Sequence, residues 1–158
     1  MTKQQTVDAT EPNCFNKQKC KPLIYKEKIV IGYCVDENGN VWSTKRSEPR
    51  KMRHHTAAGQ YPVTEISVEG KRITVRMHRL VCESYHKFTK PKSVNKKEWD
   101  ITPDSVKKIV KQSYEVNHKD HNRLNFHPDN LEWVTGGENK EKYQKYRSKK
   151  SLESSSAE

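Results

Sequence analysis

Long apolar runs are missing from this sequence. No window approaches the about 18 residues that a membrane-crossing helix needs, and the first residues contain no hydrophobic signal region. A cytoplasmic protein, in whatever cell makes it, is therefore expected, with no membrane partner. Apolar residues make up only 31% of the 158 positions, which excludes a large single core and favours a compact centre with polar ends. Cysteine is scarce, and none of Cys14, Cys20, Cys34 and Cys82 forms a CxxC pair. Cys34 and Cys82 lie in apolar runs and read as small buried hydrophobes, leaving Cys14 and Cys20 as the remaining zinc candidates. Acidic residues are outnumbered, 20 against 31 Lys and Arg, for a net charge of +11. That excess favours a polyanion, because each phosphate contact releases condensed counterions.

What the chain does contain is ordered from strands to helices. Residues 1–22 are polar and aperiodic and read as a flexible arm. A β-rich module follows over 23–77. Lys28–Val35 alternates as a strand, Asp36–Asn40 offers an Asn-Gly turn, and Val41–Thr44 returns. Arg46–His55 reads as a basic loop containing Arg46, Arg50 and Arg53. Tyr61–Val68 and Lys71–His78 form a second hairpin across Glu69-Gly70. On its last strand Arg72, Thr74, Arg76 and His78 alternate with Ile73, Val75 and Met77, giving one cationic face suited to DNA phosphates. The spacing of Val81, Tyr85 and Phe88 predicts a helix from Arg79, and Arg79 itself either reaches a phosphate or caps the helix region. A lysine-rich connector, Thr89–Trp99, leads to Thr102-Pro103-Asp104, which reads as an N-cap with proline at the first helical position, opening a helix over 102–111. Glu138–Lys150 favours helix, with six basic residues against one acidic residue in Lys140–Lys150, and 148–158 reads as a disordered tail.

The chemistry concentrates in Tyr114–Asn139, YEVNHKDHNRLNFHPDNLEWVTGGEN. Cutting a phosphodiester requires a base to activate water and a charge to stabilise the crowded phosphorus. His118 is the candidate base, since an imidazole with a pKa near ~6.5 is largely neutral at physiological pH. Asn130, in the turn before Leu131–Val134, is a candidate hydrogen-bond partner for its other ring nitrogen. Asn117 and Asn139 offer amide oxygens, hard donors suited to one Mg²⁺ or Mn²⁺ ion. A histidine zinc cluster of His118, His121 and His127 is the competing reading, without a thiolate or acid to complete it.

The run VNHKDHNRLNFHPDNLEWVTGGEN resembles the HNH endonuclease motif in its phage and intron-encoded homing-endonuclease form. Tyr33–Thr44 resembles the small sheet that often precedes this nuclease, and Met77–Tyr85 the helix that opens it. The resemblance implies an α+β fold in which a small antiparallel sheet module is followed by a ββα-metal nuclease core over 78–147. It implies His118 as general base, Asn130 as its orienting partner, and Asn117 and Asn139 as ligands of a single divalent metal. Its partner would be double-stranded DNA, contacted also by Lys140 and the arginines named above. A monomer, the expected state although a dimer is possible, would nick one strand. The rival reading is a catalytically inactive DNA-binding protein on the same fold. Three features depart from the family: Asn117 where many relatives have Asp, His121 where glycine often follows Lys-Asp, and a long connection holding the extra helix 102–111.

Overall fold

The computed structural model describes residues 15–57 and 60–155. Its β-rich part is two antiparallel sheets. The first has four strands in sequential order: β1 (Lys21–Tyr25), β2 (Lys28–Val35), β3 (Val41–Ser43) and β4 (Arg50–Lys51). The second orders β5 (His54–His55), β6 (Val63–Val68) and β7 (Lys71–Arg76). β1 was not foreseen, because it begins inside the segment read as an arm, after a single 3-10 turn at Lys17–Lys19. It joins β2 through Lys26 and Glu27, both at positive φ (49° and 69°). A two-residue hairpin of this hand needs positive φ at both positions, which normally calls for Asn or Gly, so Lys-Glu gives no sequence signal. The region read as a basic loop supplies the two short strands β4 and β5.

Asn-Gly does turn the chain between β2 and β3. Asp36 accepts hydrogen bonds there from Asn38 N, Asn40 N, Asn40 Nδ2 and Trp42 Nε1 at 2.8–3.0 Å. Gly39 lies at φ +80°, and a Cβ there would meet the Phe126 carbonyl oxygen at 2.7 Å, so this turn abuts the loop that carries the candidate site.

At Arg76 the chain passes from β7 directly into α1 (Met77–Tyr85), which buries Met77, His78, Leu80, Val81 and Cys82. The expected cationic face therefore ends at Arg76. His78 belongs to the helix and is 4% exposed, so its place on that face is corrected: the strand period stops one residue before Met77. One apolar cluster joins Leu23, Val35 and Val41 of the first sheet, Ile66 and Val75 of the second, Leu80 and Val81 of α1, and Val116 and Leu131 beyond. The sheet module and the later segment thus share a core across the expected boundary at 77–78.

Two helices occupy the long connection. α2 (Lys96–Ile101) is capped by Asn95, whose side chain accepts from Glu98 N at 2.9 Å. This Asn-x-x-Glu start lay within the stretch read as a plain connector. α3 (Asp104–Gln112) is the expected extra helix, but Thr102 does not cap it. Thr102 ends α2, donating its hydroxyl to the Glu98 carbonyl, and Pro103 stands at the N-cap of α3. Lys111 of α3 pairs with Glu27 in the β1–β2 turn.

The hairpin of β8 (Tyr114–His118) and β9 (Leu131–Thr135) follows, in the register Asn117 opposite Glu132 and His118 opposite Leu131. Trp133 donates its indole N–H to the His86 carbonyl, and Phe88 packs edge-on against Tyr114 and Trp133. α4 spans Gly136–Ser155, so the tail expected to be disordered is helical as far as Ser155. The remaining residues of that tail, residues 1–14 of the expected arm, and Cys14 lie outside the described residues. No helix among the described residues is long and apolar enough to cross a membrane.

Candidate active site

Three of the four residues singled out in the motif meet in one cleft of about 400 Å³. Asn117, His118 and Asn139 line it together with Tyr61, Glu115, Arg123 and Lys140. Neighbouring positions on β8 deliver Asn117 and His118, both nearly buried at 6% and 5% exposure. Asn139 arrives from the first turn of α4, fixed by a reciprocal cap. Glu138 N donates to Thr135 Oγ1, while Thr135 N and its hydroxyl donate to Glu138 Oε2. Thr135-x-x-Glu138 is a capping box, and it starts the helix at Gly136, two residues before the expected start.

His118 is enclosed by rings. Tyr61 stacks on it at 5.8 Å between centroids, and His78 meets it edge-on at 5.1 Å. Burial, with Arg123 adding to it, pushes the His118 imidazole below its ordinary pKa, and nearby Asp120 opposes the shift. His78 is pushed down to about 3 by burial, His118 and the two arginines Arg79 and Arg76. Two neutral imidazoles therefore face one another at neutral pH. His118 Nε2 is a buried nitrogen with no hydrogen-bond partner. Tyr61 carries the guanidiniums of Arg76 and Arg123 at 5.3 and 5.0 Å from its ring centre.

Asn130 stands in the turn before β9, as expected, but its side chain does not bond His118. Its side chain donates to Asp120 Oδ1 (2.9 Å) and the Asn125 carbonyl (2.7 Å), and its own oxygen accepts from Asp120 N (3.1 Å). Both amide hydrogens are used, so the expected bond to the imidazole is replaced by a clamp on the loop between β8 and β9. Asp120 is the hub of that loop, accepting also from Asn122 N and Asn125 Nδ2. Burial works against its charge, but these donors hold the carboxyl below its ordinary range. The backbone carbonyl of Asn130 accepts from Lys119 N at 2.8 Å, one residue beyond His118. The clamp thus holds the chain next to His118.

His121 adopts φ +59°, the left-handed conformation for which glycine is the ordinary choice, so the loop keeps its turn without one. Its ring stacks on Tyr146 of α4 at 4.3 Å. Among the described residues no three His, Cys, Asp or Glu side chains converge on a metal-sized site. The Cys20 thiol is pushed up to about 12 by burial and by the neighbouring Cys34, the reverse of what a thiolate ligand requires. Asn117, Asn139 and Glu115 line one cleft, and the oxygen donors of such side chains are hard and suit Mg²⁺ or Mn²⁺.

The sequence reading missed the two carboxylates nearest these amides. Asn117 Nδ2 donates to Glu132 Oε1 at 2.9 Å, directly across the hairpin, and Asn139 Nδ2 donates to Glu115 Oε2 at 2.8 Å. Both glutamates were legible as polar positions of the two strands, Glu115 two residues before Asn117 on the same face of β8. Of the seven cations named for DNA contact, all exposed, only Lys140 lines the cleft. Arg76 borders it through Tyr61. Arg72 pairs with Glu65 on β6, while Arg46, Arg50 and Arg53 lie on the bends and short strands between the two sheets, and Arg79 lies on α1. Arg123, Lys119, Lys142, Lys145 and Lys149 were not foreseen. The last four line a second groove that runs from Asn117 along α4.

Residues 108–141 match a family described as HNH endonuclease. The chain is 27% identical over 103 residues to H-N-H endonuclease F-TflII of Escherichia phage T5, and 28% identical over 118 residues to H-N-H endonuclease F-TflI of the same phage. Those alignments cover 65% and 75% of this chain but 42% and 50% of the relatives, so it spans about half the length of the curated proteins it matches. A solved structure of DNA binding and cleavage by the HNH homing endonuclease I-HmuI superposes with a TM-score of 0.53 at 25% identity, over 75% of this chain and 54% of the other. The hairpin, the capped helix and the His–Asn cleft between them lie within or beside the stretch 108–141 that matches the HNH endonuclease family, and over 65–75% of its length the chain is similar to H-N-H endonucleases.

Proposed function

We propose that the protein is a divalent-metal-dependent DNA endonuclease that hydrolyses one strand per active site. The observation that carries this reading is the cleft itself: a buried imidazole, His118, lies beside two asparagines and a cationic rim of Arg123 and Lys140. Asn117 and Asn139 would hold the ion, which when bound supplies Lewis-acid stabilisation of charge on the phosphoryl oxygens. His118 accepts a proton from water as the water oxygen bonds to phosphorus, and the bond from phosphorus to the 3′ oxygen breaks; that oxyanion takes a proton from a solvent water, leaving 5′-phosphate and 3′-hydroxyl ends. Tyr61 and His78 keep the imidazole in place and exclude bulk water from its far side. Arg123 and Lys140 face the phosphate, and the lysines along α4 extend the cationic path for double-stranded DNA.

With one cleft per chain, a monomer nicks, and a double-strand break requires two. Supercoiled plasmid incubated with Mg²⁺ or Mn²⁺ should be converted to the open circle, and His118→Ala should abolish the conversion. Retardation of the plasmid without nicking in either metal would overturn the enzyme in favour of an inactive DNA-binding protein on this fold.

A further inference from the structure

We infer that Glu115 and Glu132 are positioning residues that set which end of each ligand amide faces the metal. This rests on the reading of Asn117 and Asn139 as ligands and extends it to the groups behind them. An amide presents two chemically opposite ends, an oxygen that can bind a cation and an NH₂ that repels one. Rotation by half a turn exchanges them at little steric cost. An ionised carboxylate only accepts hydrogen bonds, so an amide next to one must turn its NH₂ toward it and its oxygen away.

Both candidate ligands are in that situation. Asn117 gives its Nδ2 to Glu132 at 2.9 Å and Asn139 gives its Nδ2 to Glu115 at 2.8 Å. Each pair is fixed by a different part of the fold. Glu132 faces Asn117 across the β8–β9 register, and its Oε1 also takes Lys142 Nζ of α4 at 2.5 Å. Glu115 stands two residues before Asn117 on β8. Gly136, at the start of α4, lies beside it, with a Cβ there in ordinary contact with Glu115 Oε1 at 3.8 Å. The two carboxylates thus secure the ligand from the strand and the ligand from the helix separately. They also place negative charge behind two neutral donors, which polarises each carbonyl toward the ion.

The isosteric substitution Glu115→Gln is the sensitive test, because glutamine can accept or donate and no longer dictates the orientation of Asn139. Mn²⁺ binding to the full chain, followed by the electron paramagnetic resonance signal of free Mn²⁺, should weaken about tenfold in E115Q with the thermal midpoint held. In an Asn139→Ala background the same substitution should add nothing, since the amide it orients is gone. E132Q should behave likewise toward Asn117→Ala. Wild-type affinity in E115Q would overturn the inference. So would a loss that persists undiminished in the Asn139→Ala background, which would make Glu115 a ligand in its own right. If Asn139→Ala itself binds Mn²⁺ like the wild type, the ligand reading falls and takes this one with it. If Asn139→Ala loses affinity and E115Q does not, only the positioning role falls.

Discussion

Two aspartate-centred loops make the same device serve different ends. In the β2–β3 turn, Asp36 gathers four donors from within six residues of itself, and the product is a rigid hairpin. Between β8 and β9, Asp120 gathers donors from Asn122, Asn125 and Asn130, up to ten residues away, and the product is the position of His118 two residues upstream. The chemistry is identical, a carboxylate satisfied by backbone and amide N–H groups. Reach separates them: the short loop closes on itself, while the long one holds two strand ends and the chain beside the base. Substitutions in the first should therefore cost stability, and in the second activity.

The largest expected effect removes what the long loop presents. His118→Ala should lower plasmid nicking by about 10²–10⁴-fold while the protein still binds DNA in a retardation assay. Next, Asn130→Ala unfastens the long loop. Nicking should fall about tenfold to a hundredfold as the imidazole drifts from its place, and urea denaturation should show a loss of about 1–3 kcal/mol. Asp36→Ala, the matching cut in the short loop, should cost a similar amount in urea but leave the nicking rate of the folded fraction within about twofold. If it impaired nicking as severely as Asn130→Ala, the division between the loops would fail.

Acid should act in part through the long loop's neighbourhood. The folded pKa values of His78 and His118 are depressed, so on acidification the unfolded state takes up protons first. Their contribution to stability is full above the unfolded value of about 6.5 and is lost as pH falls from there toward about 3 for His78. Urea midpoints measured from pH 7.5 to 4 should decline over that range, and less so in His78→Leu. With neutral His118 as the proposed base, nicking should persist below the pH at which a free imidazole would be half protonated. The smallest effect is expected from His121→Gly, where relief of positive φ and loss of the Tyr146 stack offset each other to within about 1 kcal/mol.

Sequence patterns revealed the parts of this molecule whose signals are local. Asn38-Gly39 announces its turn, and the apolar alternation of β6 and β7 announces the second hairpin. The spacing of Asn117, His118 and Asn139 around Leu131–Val134 predicts a shared site, and the structure gathers those three in one cleft. What stayed hidden depends on contacts or on unusual residues. Lys26-Glu27 turns the chain without a turn signature because the strands on either side impose it. His78 looked like one more strand-face cation until the helix began at Met77 and buried it. Asn130 and Glu132 were both in view, but which amide each would meet depends on hairpin register, and one residue of slip would reassign every pair.

α4 adds a mechanical point. From Gly136 to Ser154 every residue is exposed except Asn139 and Lys142. Asn139 bonds to Glu115 and Lys142 to Glu132, and Tyr146 stacks on His121, so the helix is attached to the body along its first half, where the candidate ligand Asn139 sits. At 20 residues it extends about 30 Å, several screening lengths in physiological salt. On the proposed DNA path its distal lysines stand a helix length away from Asn139, which sits at the cleft end of the same rod.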